Sequence, residues 1–241
     1  LNLISFNYKE IIKYEKNFIE WLEFLTSYGV TIIKQSPTKT NSAFNLLKKI
    51  GTFRETFFGT PFEVVNIPKP NNTAYTAQAL RNHTDLPYFE YAPGYQFLHC
   101  LINDATGGKS SVVDGFTVAN YLKSKEGEAF KLLTSTHVKF KDTDYTQKAI
   151  RILHAPIITL TKDSDFNDIR FSMAAMGTVD VNPKKMKKFY EAYQYFASLL
   201  HNSKFKIEFR LEAGDIFCFN NRRVLHGRTE FDPNSGNRHL Q

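Results

Sequence analysis

The sequence predicts a mainly β protein, a barrel or double sheet with flanking helices. Many short apolar or β-branched runs are bounded by glycine, proline and asparagine, a pattern typical of strands. Only a few segments carry apolar residues at the three-and-four spacing of an amphipathic helix. No internal repeat, low-complexity tract or boundary signal interrupts the 241 residues, so we expect a single domain over residues 1–241.

The first predicted helix lies near the N-terminus. Phe18, Trp21, Leu22 and Leu25 recur at helical spacing, and Gly29 is a natural stop. A later helix, which begins at Asn182-Pro183, has an asparagine cap followed by a proline in its first turn. The remaining helices are predicted at 42–50, 118–125 and 128–133.

The clearest predicted strand runs from Tyr95 to Ile102. It is almost continuously apolar and aromatic, which favours burial on both faces. Residues 205–211 and 216–219 flank the turn Glu212-Ala213-Gly214-Asp215 and are predicted to pair as a hairpin. Other extended segments are predicted at 30–33, 61–67, 110–114, 137–141, 156–160 and 169–173, with a loop at Pro68-Lys69-Pro70-Asn71-Asn72.

The composition is that of a soluble globular protein. Hydrophobic residues make up 42% and aromatic residues 15%, which excludes a disordered chain. No apolar run approaches the ~20 residues needed to span a membrane, and no signal peptide is visible. Cys100 and Cys218 lie in apolar runs, which predicts buried thiols and a cytoplasmic location. Because the chain opens with Leu1, we expect a missing N-terminal piece.

The net charge of +7 raises the alternative of a polyanionic partner. The basic residues are scattered, and the densest group shares a predicted helix with an apolar face, which is typical of solvated surface. No nucleic-acid motif accompanies them, so we expect no nucleic-acid partner; binding to DNA would instead predict a steep salt dependence. The group consists of Lys184, Lys185, Lys187 and Lys188.

The segment His83-Thr84-Asp85 is the first candidate for chemistry. In an extended segment residues i and i+2 point to the same side, so the imidazole and the carboxylate can face one metal ion. A third ligand from a distant strand would complete a two-histidine, one-carboxylate set, which leaves positions open on iron(II). His226 is the best partner, and we expect it at the opposite edge of the barrel. Zinc is the rival metal.

Arg238, a short distance after His226, adds a second element. A guanidinium binds a carboxylate through two parallel hydrogen bonds. A dicarboxylate held on the metal at one end needs such a partner at the other. We therefore expect Arg238 to bind the far carboxylate of a cosubstrate, the alternative being a surface arginine.

Several motifs occur together in a fixed order. They are His83-Thr84-Asp85-Leu86-Pro87-Tyr88, Pro93-Gly94-Tyr95-Gln96-Phe97-Leu98-His99-Cys100, Thr106-Gly107-Gly108-Lys109-Ser110, Val113-Asp114-Gly115-Phe116, Asn221-Arg222-Arg223-Val224-Leu225-His226-Gly227-Arg228 and Gly236-Asn237-Arg238-His239-Leu240. With them the sequence resembles the iron(II)/2-oxoglutarate dioxygenases that hydroxylate γ-butyrobetaine and trimethyllysine, within the wider taurine dioxygenase and clavaminate synthase superfamily. The resemblance runs from about residue 17 to 241.

The resemblance implies a double-stranded β-helix, or jelly roll. It implies His83, Asp85 and His226 as iron ligands, Arg238 on the far carboxylate of 2-oxoglutarate, and Ser110 near that cosubstrate. The implied reaction is hydroxylation of a small substrate with oxygen, releasing succinate and carbon dioxide, with ascorbate as a reductant. In related halogenases a small residue replaces the carboxylate, so Asp85 favours hydroxylation.

The resemblance also implies an aromatic cage for a trimethylammonium group, since ring faces attract cations. The implied cage positions fall on Phe58, Phe62 and Tyr75, with Asn72 as a polar contact. A fourth position falls on Leu86, which is not aromatic. The alternative is that these aromatic residues are ordinary core.

Two further departures concern the substrate. A substrate-side asparagine of the family is replaced by Ser172 or Met173, and the chain stops soon after Arg238. The substrate therefore stays open between a trimethylammonium compound such as γ-butyrobetaine, on the way to carnitine, and a sulfonate such as taurine. A non-catalytic jelly-roll binding protein is the alternative of another class. A homodimer is compatible with the sequence.

Overall fold

The computed structural model describes residues 3–66, 75–145 and 147–241, and strands dominate them. The strands are short and apolar on the face that meets a neighbouring layer, as their sequences predict. Within the described ranges they are β1 Ser5–Asn7, β2 Val30–Lys34, β3 Val64–Val65, β4 Leu80–His83, β5 Tyr95–Asn103, β6 Ser110–Asp114, β7 His137–Asp144, β8 Ala149–Ala155, β9 Ile158–Leu160, β10 Phe166–Ile169, β11 Met176–Asp180, β12 Lys206–Phe209, β13 Ile216–Asn220, β14 Val224–Arg228 and β15 Arg238–Leu240.

Two main sheets form the body of the protein. The larger has the order β1-β2-β13-β5-β15-β3, and the smaller has the order β12-β6-β14-β4. Apolar side chains of both meet in one cluster, with Phe217 and Phe219 of the larger sheet beside Val112 and Val224 of the smaller. The predicted mainly β double sheet is therefore confirmed. Two smaller sheets, β11-β7-β8 and β10-β9, complete the described strands.

The predicted hairpin over 205–219 is wrong. β12 pairs with β6 in the smaller sheet, whereas β13 pairs with β2 and β5 in the larger. The turn between them carries the chain from one sheet to the other. Alternating strands flanking a tight turn look the same whether they pair with each other or with distant strands, so local sequence could not decide the partner.

Other strand predictions needed correction at their ends. The segment predicted over 169–173 is a strand only at Ile169, where β10 ends. Farther along it, Phe171 donates its backbone N–H to the Thr84 hydroxyl and not to a neighbouring strand. β8 and β11 were not predicted. Within the extended segment predicted over 61–67, only β3 is a strand among the described residues, and the loop predicted at 68–72 lies outside them. β5 is exposed near both ends, at Tyr95 and Ile102, rather than buried throughout.

Helices flank the sheets, as predicted. Trp21 of the second helix is fully buried and donates its indole N–H to Thr31 of β2, at 3.0 Å. The predicted helix at 42–50 is regular only over its middle. The helices of the described ranges are α1 Tyr8–Lys13, α2 Glu15–Tyr28, α3 Phe44–Leu47, α4 Gly115–Lys125, α5 Gly127–Ser135 and α6 Pro183–His201.

The last three helices form one layer with a buried core. Leu122, Leu133 and Phe196 meet in an apolar cluster there, and the four lysines at the start of α6 point away from it and are exposed. Those lysines are solvated surface, as expected. Cys100 and Cys218 are free and buried, as predicted. Among the described helices, none has the length and apolar character to cross a membrane.

Gly214 in the turn between β12 and β13 is predicted to be intolerant of a side chain. Its φ is +88°, and an added Cβ would lie 2.7 Å from the carbonyl oxygen of Ser36. We expect Gly214→Ala to lower the free energy of unfolding by about 1–3 kcal/mol, measured by urea denaturation. Gly127→Ala is the matched control, because no atom lies within 4 Å of its added Cβ. Equal stability of the two variants would contradict the prediction.

Candidate functional site

His83 and His226 lie on neighbouring strands. β4 and β14 are antiparallel partners in the smaller sheet, and the two histidines stand directly opposite each other in register. Their ring centroids are 4.5 Å apart. The expectation that they would occupy opposite edges of a barrel is wrong: the sheet brings two distant chain segments side by side.

Asp85 completes a compact group of three ligand atoms. It follows the end of β4, and its carboxylate lies 3.3 Å from Nε2 of His83 and 3.7 Å from Nε2 of His226. One donor atom from each residue lies within 4.8 Å of the others. Two imidazole nitrogens and one carboxylate oxygen suit iron(II) and leave coordination positions open. The donor set therefore fits the metal that the resemblance implies.

Hydrogen bonding fixes which nitrogen of His83 faces the group. Its Nδ1 lies 2.8 Å from the carbonyl oxygen of Arg81, so Nδ1 carries the proton that is donated to this oxygen. Nε2 faces Asp85 and is the nitrogen that remains available to a metal ion. A metal-binding histidine usually has its other ring nitrogen held in this way.

The charges of the three residues are strongly coupled. Burial lowers the pKa of His226 to about 4, with the charge of Asp85 opposing it, so this ring is neutral near pH 7. Burial also acts to raise the pKa of Asp85, but His226 and His83 outweigh it and hold that pKa well below its usual range. Burial acts to lower the pKa of His83, but the hydrogen bond and charge of Asp85 outweigh it and raise that pKa. A divalent cation bound to the three residues would displace any proton held between His83 and Asp85.

A cavity of about 1090 Å³ adjoins the three residues. It lies between the two main sheets, since residues of both line it. Its volume is that of a small-molecule site. Of the residues predicted from sequence, the cavity lining includes His83, Asp85, His226, Arg238, Ser110, Phe58, Phe62 and Tyr75.

Arg238 brings a half-buried cation to this cavity from the larger sheet. It lies at the start of β15, opposite Asn103 of β5, and its guanidinium lies over the ring of Phe231 at 5.7 Å. Burial lowers the pKa of Arg238, and its Nε has no hydrogen-bond partner among the described residues. A desolvated guanidinium with an unfilled donor is suited to bind a carboxylate. Ser110, buried at the start of β6, lines the same cavity.

The three predicted aromatic residues also line the cavity. The ring centroids of Phe58 and Phe62 are 6.0 Å apart, and both side chains are half-buried, as is Tyr75. They are thus accessible to a ligand rather than sealed in the core. Asn72 lies outside the described residues. Leu86, at the non-aromatic fourth position, also lines the cavity, as do Ser172 and Met173.

Sequence reasoning missed the residues that hold Asp85. The side chain of Gln96, on β5, is hydrogen-bonded to the Asp85 carboxylate, and its own oxygen has no partner among the described residues, so its NH2 group donates. Asn221 contacts the main chain of Asp85. Both residues stand within the motifs of the resemblance, but a motif does not show which atoms its side chains contact.

Comparison with known proteins agrees with this geometry. The sequence model of one protein family, described as taurine catabolism dioxygenase TauD, TfdA family, matches residues 3–241 of this chain. A γ-butyrobetaine dioxygenase of Pseudomonas sp. (strain AK-1) is 38% identical over all of this chain, and that of Homo sapiens is 33% identical. The chain spans 62% and 63% of those two relatives.

Solved structures support the same fold. An asparagine oxygenase in complex with Fe(II), 2S,3S-3-hydroxyasparagine and succinate superposes with a TM-score of 0.73 at 18% identity, over 94% of this chain and 78% of that one. The predicted jelly roll with flanking helices is therefore confirmed. Because the family model covers nearly every residue, the chain belongs to the TauD/TfdA dioxygenase family.

Proposed function

We propose that residues 1–241 form a catalytic domain that hydroxylates a small trimethylammonium compound, such as γ-butyrobetaine, with iron(II), 2-oxoglutarate and oxygen. Succinate and carbon dioxide are the coproducts. The observation that carries the proposal is the group of His83, Asp85 and His226 at a cavity that also contains Arg238. The likeness to γ-butyrobetaine dioxygenases over the whole chain supports it.

The three ligands would hold iron(II) on one face. Iron(II) bound there would supply the activation of oxygen that couples oxidation of 2-oxoglutarate to hydroxylation of the substrate. His83 contributes Nε2 because Arg81 occupies its Nδ1, and Asp85 supplies the negative charge that offsets a divalent cation. The protein's part is to fix these donors and to leave room beside them for reactants.

Arg238 would bind the carboxylate of 2-oxoglutarate that lies farther from the metal. Its half-buried guanidinium provides parallel N–H donors, which match a carboxylate better than an ammonium would. Ser110 would add a hydroxyl donor on the same wall. Charge on the cosubstrate is thus balanced at both ends, by the metal and by Arg238.

The substrate cation would be held by Phe58, Phe62 and Tyr75. Ring faces stabilise a quaternary ammonium ion, which has no N–H to donate and so gains little from polar partners. Arg81 and Lys141 also line the cavity and give its wall positive charge that suits the anionic end of a zwitterion. Free, buried Cys100 and Cys218 support our inference that the protein works in a reducing compartment such as the cytoplasm.

The test is a turnover assay with iron(II), ascorbate and 2-oxoglutarate. We expect succinate release that depends on a trimethylammonium substrate such as γ-butyrobetaine, and none above background with taurine. We also expect Phe62→Ala and Tyr75→Ala to raise KM for the cation by about 2- to 30-fold each, the effect of losing one ring face. An uncharged analogue with a tert-butyl group in place of trimethylammonium is the matched control.

The aromatic cage explains substrate specificity only if the protein prefers the positively charged trimethylammonium group to an uncharged group of the same shape. The wild type should bind the cation more tightly than its tert-butyl analogue, and this preference should shrink in Phe62→Ala and Tyr75→Ala. An unchanged preference in both variants would refute the cage. Turnover of taurine in place of γ-butyrobetaine would support the sulfonate alternative, and absence of turnover with every candidate would favour a binding protein.

A further inference from the structure

Asn221 is a fully buried amide between the two segments that carry the candidate ligands. It lies in the turn between β13 and β14, so the strand with His226 begins shortly after it. Its backbone N–H donates to the carbonyl oxygen of Gly94 at 2.8 Å. This hydrogen bond connects the turn to Gly94, at the end of the segment 85–94 that begins with Asp85.

The Asn221 side chain binds the main chain of Asp85 in both directions. Oδ1 accepts from the backbone N–H of Asp85 at 2.7 Å, and Nδ2 donates to its carbonyl oxygen at 3.0 Å. Nδ2 also donates to the carbonyl oxygen of Pro93, at 3.3 Å. One buried side chain thus satisfies both backbone groups of a candidate ligand, at a position beyond the end of β4 where no neighbouring strand can do so.

The backbone needs this support because it turns sharply after Asp85. Leu86 has a φ of +53°, in the left-handed region that non-glycine residues seldom adopt. Such a conformation persists only where surrounding contacts hold it. The rest of the segment has its own support, since Arg170 donates to the carbonyl oxygens of Pro87, Phe89 and Glu90.

We propose that Asn221 is a positioning residue that sets the main chain of Asp85, and so places its carboxylate between His83 and His226 for metal binding. This inference rests on the proposed function, because it assumes that the three residues bind a metal. Gln96 acts on the carboxylate itself, whereas Asn221 acts on the backbone that carries it. Without Asn221, two part-buried backbone groups of Asp85 lose their partners and the ligand moves relative to both histidines.

The experiment measures Mn²⁺ binding to the metal-free full chain by calorimetry, without 2-oxoglutarate. We expect Asn221→Ala to weaken Mn²⁺ affinity by about 10- to 100-fold, the range found when a partner of a metal ligand is lost. Asn221→Asp keeps an acceptor for the Asp85 N–H and should lose less affinity. In both variants the absorption spectrum of the Co²⁺-loaded protein should differ from that of the wild type, because the ligand geometry has changed.

Asn103→Ala is the matched control for lost stability. Asn103 is also a buried asparagine that donates to a carbonyl oxygen, that of Leu211, but it makes no contact with Asp85. Its loss should lower Tm and leave Mn²⁺ affinity within about twofold. If Asn221→Ala lowers Tm in the same way with unchanged Mn²⁺ affinity, the residue is only structural and the proposal is wrong. If Asn221→Ala does not fold, an unchanged Co²⁺ spectrum in Asn221→Asp would overturn it.

The failure of the two proposals can be told apart. Wild-type protein that binds no Mn²⁺ would refute the metal site and the proposed function with it. If the wild type binds Mn²⁺ and Asn221→Ala binds it with the same affinity, the role of Asn221 is refuted and the metal site is not.

Discussion

Asp85→Ala is expected to abolish turnover and to weaken Mn²⁺ affinity by more than about 100-fold, beyond the usual effect of losing an outer partner of a ligand. The carboxylate is the negatively charged member of the candidate ligand set and stands within 3.7 Å of Nε2 of both histidines. Removing it leaves two imidazoles, which hold a hard divalent cation poorly at a single face. Calorimetry with Mn²⁺ and succinate release with iron(II) measure the two effects.

The loss should be specific to the metal and not to folding. Asp163→Ala serves as the control, because Asp163 is an exposed carboxylate of the turn between β9 and β10, away from the cavity. It should keep both Mn²⁺ affinity and turnover. An Asp85→Ala variant that still released succinate at the wild-type rate would show that the ligand assignment is wrong, whatever its stability.

The three candidate ligands could be proposed from sequence because their signal is partly local. His83 and Asp85 stand two apart next to a strand, and such a spacing sends both side chains the same way. His226 is the best partner among the remaining histidines on its place in the chain, and the resemblance implies the same residue, although nothing local links it to the other two. That it lies on the adjacent strand, in register with His83, could not be predicted, since strand partners are set by packing between distant segments.

The hairpin prediction failed for the same reason. Residues 205–219 carry a good turn flanked by alternating runs, yet β12 and β13 join different sheets. In a double sheet each strand buries its apolar face against the facing sheet, whichever strand it pairs with, so the alternating pattern is the same in both cases. Local pattern predicts that a strand exists and not which strand it pairs with.

The residues around the ligands were the least predictable. Gln96 is a polar residue within an apolar strand, and Asn221 is one of several polar residues in a turn. A sequence shows only that such a residue needs a partner once it is buried. Which partner it finds depends on the exact approach of β5 and of the β13–β14 turn to Asp85. Leu86 adds a backbone conformation that its residue type does not favour, so no propensity could have indicated it.

Arg238→Met is expected to raise KM for 2-oxoglutarate by about 30- to 5000-fold, the equivalent of about 2–5 kcal/mol for removing one partner of a buried, hydrogen-bonded charge pair. The half-buried guanidinium lines the cavity, so in Arg238→Met a carboxylate bound there would lose hydrating water without gaining a hydrogen bond in return. Initial rates at varied 2-oxoglutarate, with saturating iron(II) and substrate, measure this effect. Mn²⁺ affinity without 2-oxoglutarate should stay close to that of the wild type.

Arg238→Lys separates charge from geometry. A lysine restores the positive charge but not the pair of parallel N–H donors, so its KM should lie between those of the wild type and Arg238→Met. Lys109→Met removes one charge from the exposed loop beside Ser110, outside the large cavity, and should leave KM unchanged. If Lys109→Met raised KM as much as Arg238→Met, the effect would come from the overall positive charge. If Arg238 binds the cosubstrate directly, Lys109→Met should leave KM for 2-oxoglutarate unchanged while Arg238→Met raises it.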